Sequence, residues 1–327
     1  MIITRTPFRI SFVGGGSDLE SFYSRHTGAV ISTSINKYMY ISSHKFFEED
    51  KIRVKYSKTE TVSDANELQH PILKTVLNKF NIKGGLEFSS IADVPAGTGL
   101  GSSSAFTVGL LHNLHLIKNN PVKKSELAAE ACHVEIDLLH EPIGKQDQYA
   151  TACGGLNVIE FHASGAVTVE PIKLGENVYQ TLEQNLLMFY TGAQRSASNI
   201  LAEQKKNTSQ DDKFNALKSM VKLVYDTREA LVNDRPDDLG KILHENWILK
   251  KKLASGISNP AIDEAYDTAL RNGALGGKLL GAGGGGFLLF YCPVNLQPKL
   301  IEALRPLRKF DFRFEGEGSK LIHISDE

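Results

Sequence analysis

The chain has 327 residues, of which 41% are hydrophobic and 23% charged, which is the composition of an ordinary globular protein. This length exceeds what one hydrophobic core usually holds, so two domains are expected. A formal net charge of -1 gives no general attraction to nucleic acid or to acidic membranes, and we expect neither as a partner.

The N-terminal residues, the longest apolar run and the cysteines indicate the cellular compartment. The N-terminal residues lack an apolar stretch long enough for a signal peptide, and the longest apolar run, 287–292, is too short to span a bilayer. Cys132, Cys153 and Cys292 are widely separated and lack metal-ligand spacing. They are typical of free thiols in a reducing environment. We therefore expect a cytoplasmic protein.

The first half of the chain mixes strand and helix patterns. Short segments rich in β-branched or aromatic residues predict strands at 8–13, 29–35, 38–43, 155–160, 166–172 and 186–190. Apolar residues at helical spacing predict helices at 68–79, 105–117 and 124–139.

The second half is richer in helices. Four are predicted, at 196–206, 211–233, 237–254 and 260–271. The remaining residues predict strands at 278–281, 286–292, 310–314 and 320–324, with a helix at 296–304. The fold class is therefore α+β with two lobes. We place the border near Glu183, which gives domains 1–183 and 184–327.

The segment Pro95–Ala105 reads Pro-Ala-Gly-Thr-Gly-Leu-Gly-Ser-Ser-Ser-Ala and precedes a predicted helix. Glycines allow the backbone to approach a ligand closely, and serines can cap the helix start. The first amide groups of a helix and its dipole attract anions. The segment could be a glycine turn with a serine cap, but three serines exceed what a cap needs. We interpret it as a phosphate-binding loop.

Two more glycine-rich loops occur, at 14–18 and 281–286. The chain has no G-x-x-x-x-G-K-[ST] motif, which argues against a P-loop NTPase. The loop at 281–286, the third in the chain, satisfies G-x-G-x-x-G, but a strand pattern follows it where a dinucleotide site needs a helix. A glycine bend between two strands is the structural alternative. Lys278, just before this loop, is either a surface lysine or a contributor to phosphate binding.

The three glycine-rich loops, in this order and with these flanking residues, resemble those of the GHMP small-molecule kinases from about Thr4 to beyond Phe287. The resemblance implies two lobes: an N-terminal lobe like ribosomal protein S5 domain 2 and a helix-rich, ferredoxin-like C-terminal lobe. It also implies ATP and Mg²⁺ as cofactors. ATP phosphates are then expected at Pro95, Gly97, Gly99, Leu100, Gly101, Ser102, Ser103 and Ser104.

The resemblance also implies the catalytic residues. Galactokinase-like members carry a helix glutamate twelve positions before an Asp-Gln pair, and Glu135 and Asp147 match that pattern. Glu135 with Ser102 or Ser103 would hold Mg²⁺, Asp147 would be the catalytic carboxylate, and Arg9 would lie beside it. From the residues alone, Glu135 could be a solvated helix acid, Asp147 an N-cap and Arg9 a surface residue of an edge strand.

Three segments indicate which molecule accepts the phosphate. Asp18 matches a sugar-binding aspartate of galactokinases, but Gly15, Gly16 and Ser17 replace their Glu-His-Thr, which leaves room for a longer or anionic sugar. Arg195 and Ser196, at a predicted helix start, are candidates for a second phosphate, and Arg195 could also be solvated. By resemblance, the third loop (Gly283, Gly284) packs beside the phosphate-binding loop and supports nucleotide or substrate binding.

These segments, with residues 244–256, are similar to the heptose-phosphate kinases of the family. Trp247, in this run, is more typical of core than of a sugar platform. The resemblance implies phosphorylation of the anomeric hydroxyl of D-glycero-D-manno-heptose 7-phosphate for surface-polysaccharide precursors. Two alternatives are a kinase of an unphosphorylated sugar, such as a fucokinase or galactokinase, and a catalytically silent sugar- or nucleotide-binding regulator. The expected partners are the small-molecule sugar phosphate and ATP, and a homodimer is compatible with this function.

Overall fold

The structure is a computed structural model that describes residues 1–192 and 197–325. Its strands are β1 (Ile2–Val13), β2 (Gly28–Lys45), β3 (Ile52–Lys55), β4 (Thr59–Val62), β5 (Leu86–Ala92), β6 (Leu156–Phe161), β7 (Val167–Pro171), β8 (Leu186–Tyr190), β9 (Gly276–Leu279), β10 (Phe287–Tyr291), β11 (Arg308–Lys309), β12 (Phe314–Glu315) and β13 (Lys320–Ile324).

The helices are α1 (Glu20–Tyr23), α2 (Pro71–Lys79), α3 (Ser102–Ile117), α4 (Lys124–Cys132), α5 (Gln146–Cys153), α6 (Glu176–Asn185), α7 (Ala197–Asn207), α8 (Asp211–Val232), α9 (Asp238–Lys251), α10 (Pro260–Arg271) and α11 (Gln297–Ala303). A π-helical turn, His133–Leu138, continues α4. Within the described residues, no helix combines the length and the apolar character needed to cross a membrane.

A nine-stranded sheet forms the first lobe. Its main path is β13-β1-β2-β5-β3-β4. Two further strands, β6 and β12, pair with other parts of β2, and β7 pairs with β6. The strand β2 pairs with four strands, β1, β5, β6 and β12, because it is long and has a bulge opposite Pro7 and Phe8. Helix α3 packs on β1 and β2. Most of its side chains are buried, so its first turn is held firmly against the sheet.

A four-stranded antiparallel sheet, β11-β8-β10-β9, forms the second lobe. Helix α8 lies against α9 and the first sheet, and α9 also contacts β1, β9 and β10. Helix α9 therefore bridges the two sheets. The border near Glu183 stays a prediction: the second sheet begins with β8 shortly after it, but β12 and β13 pair with strands of the first sheet.

Several element predictions were wrong in detail. The strands predicted at 29–35 and 38–43 are one strand, because Asn36 and Lys37 form a bulge and not a turn. The helix predicted at 124–139 changes to π-helical geometry at His133. Only Phe314, at the end of the strand predicted at 310–314, is in a strand. Helix α5 was not predicted, because its small and polar side chains carry a weak helical pattern.

Candidate active site

A cavity of about 300 Å³ lies between the two lobes. Its walls come from the end of β1, the loop before α3, the start of α5, helices α7 and α9, and the residues around β9. These elements are far apart in the sequence, and the two sheets bring them together. The cavity contains most of the residues that we predicted for the site.

The loop before α3 forms one wall of the cavity. Gly97, Gly99 and Gly101 line it together with Ser102, Ser103 and Ser104. Gly101 has a left-handed backbone (φ 76°) and precedes the helix without a side-chain capping bond. The serines thus belong to the first turn of α3 and do not cap it, which leaves the positive end of the helix facing the cavity. This arrangement suits a phosphate chain.

The third glycine-rich loop packs against this wall. A Cβ on Gly281 would lie 2.6 Å from the Cα of Gly99, and a Cβ on Gly99 would collide with the carbonyl oxygen of Leu280. The two loops therefore touch through their backbones, and the expectation that the third loop lies beside the phosphate-binding loop is confirmed. Gly281 and Ala282 line the cavity.

Arg9 and Asp147 form a bidentate ion pair at the centre of the site. The Arg9 Nε and Nη2 atoms donate to Asp147 Oδ1 and Oδ2 at 2.7 and 2.6 Å. The remaining Nη1 donates to the carbonyl of Gly99 at 2.6 Å. Arg9 is buried, so it is no surface residue, while the Asp147 side chain keeps 24% exposure toward the cavity. Asp147 lies inside the first turn of α5 and is not an N-cap.

Glu135 lies in the π-helical turn behind the serines and is fully buried, so it is no solvated helix acid. Its carboxylate accepts hydrogen bonds from Ser103 Oγ at 2.5 Å and from Gln148 Nε2 at 2.7 Å. Burial raises the pKa of Glu135 to about 7, against the opposing effect of these hydrogen bonds. A cation near Ser103 would offset this cost, and serine and carboxylate oxygens are ligands that Mg²⁺ accepts. The residues present fit the ion.

Asp18 also lines the cavity, close enough to Asp147 for the two carboxylates to interact electrostatically. The backbone amides of Gly16 and Gln146 donate to its two carboxylate oxygens at 2.9 and 3.3 Å. Burial is the main cause that raises its pKa, and the charge of Asp147 adds to it. Gly144 lies so close that a Cβ there would collide with Asp18. The orientation of this carboxylate is thus fixed by backbone contacts.

Two lysines reach the cavity from the second lobe. Lys250 of α9 donates to the carbonyl of Gly15 at 3.2 Å and to Gln204 Oε1 at 3.0 Å. Lys278 of β9 donates to the carbonyl of Ser11 at 2.7 Å. Both are nearly inaccessible, with 5% and 3% relative exposure, so Lys278 is not a surface lysine.

The other predicted residues are placed as follows. Gly15 and Gly16 line the cavity, whereas the Ser17 hydroxyl is bonded to both backbone groups of Ala29. Gly284 donates its amide to Ile257, and Gly283 packs against the same residue.

The remaining predicted site residues either do not line the cavity or fall outside the part of the chain that the structure describes. Leu100 is buried, and its carbonyl accepts the amide of Arg9. Pro95 is exposed, with its carbonyl bonded to Thr98. Arg195 and Ser196 lie outside the described residues. The substrate and cofactor roles of all these residues stay predictions.

Our sequence analysis gave no role to Lys250 or Gln148. A signal for Lys250 existed: it continues the buried face of α9 that holds Leu243 and Trp247, where a lysine is unusual. Trp247 itself is 1% exposed and packs beside Tyr266, as a core residue does.

Comparison with known proteins identifies the family. The family description "GHMP kinases N terminal domain" matches residues 67–155, and "GHMP kinases C terminal" matches residues 227–306. The chain is 31% identical to a D-glycero-alpha-D-manno-heptose 7-phosphate kinase from Campylobacter jejuni, over 99% of both chains. It is 27% identical to a galactokinase from Pyrococcus furiosus, over 87% of both chains.

Solved structures agree on the fold. The crystal structure of a D-glycero-D-manno-heptose 1-phosphate kinase from Bacteroides thetaiotaomicron superposes with a TM-score of 0.81 at 23% identity, covering 100% of both chains. Together with the phosphate-binding loop and the Arg9–Asp147 pair, these matches lead to one conclusion. The chain belongs to the GHMP kinase family and is an ATP-dependent sugar kinase.

Proposed function

We propose that this enzyme transfers the γ-phosphate of ATP to the anomeric hydroxyl of D-glycero-D-manno-heptose 7-phosphate and so makes the 1,7-bisphosphate. The observation that carries this proposal is the position of the Asp147 carboxylate, which faces the same cavity as the phosphate-binding loop and Asp18. The heptose-phosphate kinase from Campylobacter jejuni, similar over its whole length, supports the choice of sugar.

Asp147 would orient the anomeric hydroxyl and accept its proton as the new oxygen–phosphorus bond forms and the bond to ADP breaks. Arg9 holds the Asp147 carboxylate in place through two hydrogen bonds, which fixes the direction in which its oxygens face the cavity. Because the same guanidinium bonds Gly99, it also fixes the distance between the acid and the phosphate-binding loop.

The ATP phosphates would lie against the amides and hydroxyls at the start of α3. Ser103 and Glu135, with Ser102 as the other candidate, would hold Mg²⁺. When bound, Mg²⁺ supplies charge neutralisation for the phosphate oxygens. Asp18 would accept hydrogen bonds from sugar hydroxyls, since each of its oxygens keeps acceptor capacity beyond its one amide. The predicted location is the cytoplasm, consistent with three free cysteines.

The test is a reaction with ATP, Mg²⁺ and synthetic D-glycero-D-manno-heptose 7-phosphate, followed by phosphorus NMR of the product. We expect ADP and a new anomeric phosphate signal in equal amounts. The competing function is a kinase of a free sugar, which the galactokinase similarity favours. A panel of free heptose, fucose and galactose separates the two. Higher kcat/KM for a free hexose would eliminate the heptose-phosphate assignment, and no sugar-dependent ADP release would eliminate both.

A further inference from the structure

The cavity has a positively charged end that the transfer chemistry does not use. Lys250 and Lys278 both line it, and both bond the segment that runs from Ser11 to Gly15. Neither bonds the phosphate-binding loop. Their ammonium groups therefore lie at the side of the cavity formed by the first glycine-rich loop.

Lys250 and Lys278 are not bonded directly to a carboxylate of the described residues, although the charge of Asp18 acts on Lys250. Arg9, the third buried cation here, is paired with Asp147. Lys250 and Lys278 instead donate to two backbone carbonyls and one amide oxygen, and in the described part of the chain neither forms an ion pair. A buried ammonium group without a counter-charge is costly, so proteins rarely keep one without a use. The burial lowers the pKa of both lysines, to about 8 for Lys250.

Neighbouring polar atoms are also unsatisfied. Ser11 Oγ and Gln204 Nε2 are buried and have no hydrogen-bond partner among the described residues. Ser11 lines the cavity, and Gln204 bonds Lys250 through its other amide atom. Buried hydrogen-bonding groups of this kind are normally satisfied, and here a ligand can do it. Two cations and the Ser11 hydroxyl thus line one end of the cavity, and Gln204 lies behind them in contact with Lys250.

The contacts across the cavity distinguish the side that holds Lys250 from the side where ATP is expected, at the start of α3. Gly101, at the start of α3, lies beside Asp147, since a Cβ there would be 3.4 Å from Asp147 Oδ2. Asp147 in turn interacts electrostatically with Asp18, and Asp18 with Lys250. These contacts run in sequence from the phosphate-binding loop through Asp147 and Asp18 to Lys250. A group bound by Lys250 belongs to the acceptor and not to the triphosphate.

We propose that Lys250 and Lys278 form an anion subsite that binds a phosphate group carried by the acceptor sugar, with Ser11 and Gln204 as hydrogen-bond donors. This inference rests on the proposed function and deepens it, because it names the residues that distinguish a sugar phosphate from a free sugar. The phosphate supplies the missing counter-charge for both ammonium groups. A free sugar leaves them unpaired, so the subsite selects against it.

The experiment measures kcat and KM for heptose 7-phosphate, for unphosphorylated heptose and for ATP in Lys250→Met and Lys278→Met. Methionine keeps much of the side-chain volume and removes the charge. We expect kcat/KM for the sugar phosphate to fall at least about tenfold in each variant, as loss of a charge-assisted hydrogen bond predicts. KM for ATP stays unchanged, and kcat/KM for the free sugar stays unchanged or rises.

Lys252→Met is the matched control. Lys252 caps the end of α9, two residues after Lys250, and is exposed. The Lys252→Met variant should keep kcat and KM for heptose 7-phosphate, for free heptose and for ATP within about twofold of the wild-type values. Arg195→Met is the competing variant, because Arg195 is the residue that we predicted for a second phosphate. Equal losses for both sugars, a raised KM for ATP, or a loss confined to Arg195→Met would each overturn the proposal.

A binding measurement keeps this test independent of turnover. Calorimetry with heptose 7-phosphate, on enzyme saturated with a non-hydrolysable ATP analogue, should show weaker binding in Lys250→Met than in Lys252→Met. If the wild type binds the sugar phosphate through the lysines without transferring phosphate, the proposed reaction fails and the subsite stands. If it transfers phosphate and the lysine variants bind normally, the subsite fails and the reaction stands.

Discussion

Arg9 and Asp147 lie 138 residues apart in the sequence and meet in a bidentate ion pair with N–O distances of 2.7 and 2.6 Å. Arg9 comes from β1 and Asp147 from the first turn of α5. The same arginine also bonds the carbonyl of Gly99. One side chain thus fixes Asp147, the predicted catalytic acid, relative to the loop before α3, and the first prediction concerns this acid.

Asp147→Asn should lower kcat by about 10²–10⁴, since an amide cannot accept the hydroxyl proton. It keeps the shape of the side chain, so binding of ATP should change little. Steady-state kinetics with circular dichroism of the folded protein checks this. The control is Asp137→Asn, an exposed acid of the π-helical turn. Wild-type turnover in folded Asp147→Asn protein would remove Asp147 from the chemistry.

Glu135→Gln should weaken Mg²⁺ use. The amide keeps a hydrogen-bonding partner for Ser103 but loses the negative charge that would attract the cation. We expect the Mg²⁺ concentration for half-maximal rate to rise at least about tenfold. The rate is measured as a function of Mg²⁺ at saturating ATP. An unchanged Mg²⁺ dependence, with Asp137→Asn as reference, would show that the ion is held elsewhere.

Gly99→Ala should disrupt the contact between the two glycine-rich loops. Gly99 has φ +83°, and a Cβ there would collide with Leu280. A left-handed backbone alone costs an alanine about 1–3 kcal/mol, and the collision adds to it. We expect a lower melting temperature and a higher KM for ATP. Gly175→Ala is the control, because Gly175 has φ -62° and a Cβ there would contact nothing within 4 Å.

Binding of heptose 7-phosphate should weaken as pH rises above about 8, the pKa of Lys250 in the free enzyme. Asp18 and Lys278 are the charged groups that interact with it, and Gly15 and Gln204 are its neutral partners. The protonated lysine binds the anion, so affinity is highest below this pKa and is lost above it. The sugar phosphate keeps its charge over this range, because its second pKa is about 6.

We expect at least about a tenfold loss of affinity between about pH 7 and pH 9 from the titration of Lys250 alone. Burial also lowers the pKa of Lys278, and the loss of its proton acts in the same direction. Calorimetry at several pH values measures it. Lys250→Met should bind weakly at every pH and lose the change near pH 8. A wild-type affinity that is constant over this range would contradict the prediction.

Much of the candidate site was predictable because loops of the kind that bind phosphate have short, recognisable sequence patterns. The three glycine-rich loops and the serines at the start of α3 are short patterns that can be read directly, whereas Glu135 and Asp147 were identified through the spacing that they share with the GHMP kinases. The first two loops and both acids lie at the site. Gly283 and Gly284 could not be placed in this way, since a glycine that packs against Ile257 looks the same in sequence as one that faces a ligand.

The burial of charged residues was not predictable in the same way. Lysine is typical of exposed positions, and nothing local shows that Lys278 on β9 donates to Ser11, since these residues lie on different sheets. The long strand β2 was divided in the prediction, because polar Asn36 and Lys37 suggested a break that a bulge in the sheet accommodates.

The sequence by itself determined the α+β class, the order of most elements and the positions of the glycine-rich loops, because these follow from local periodicity and from the conformational freedom of glycine. Only the tertiary structure decided which charges lose their water. The pairing of Arg9 with Asp147 and the isolation of Lys250 and Lys278 arise where β1, α9 and β9 close one cavity. Desolvation depends on all the atoms around a group, and most of those atoms come from distant parts of the chain.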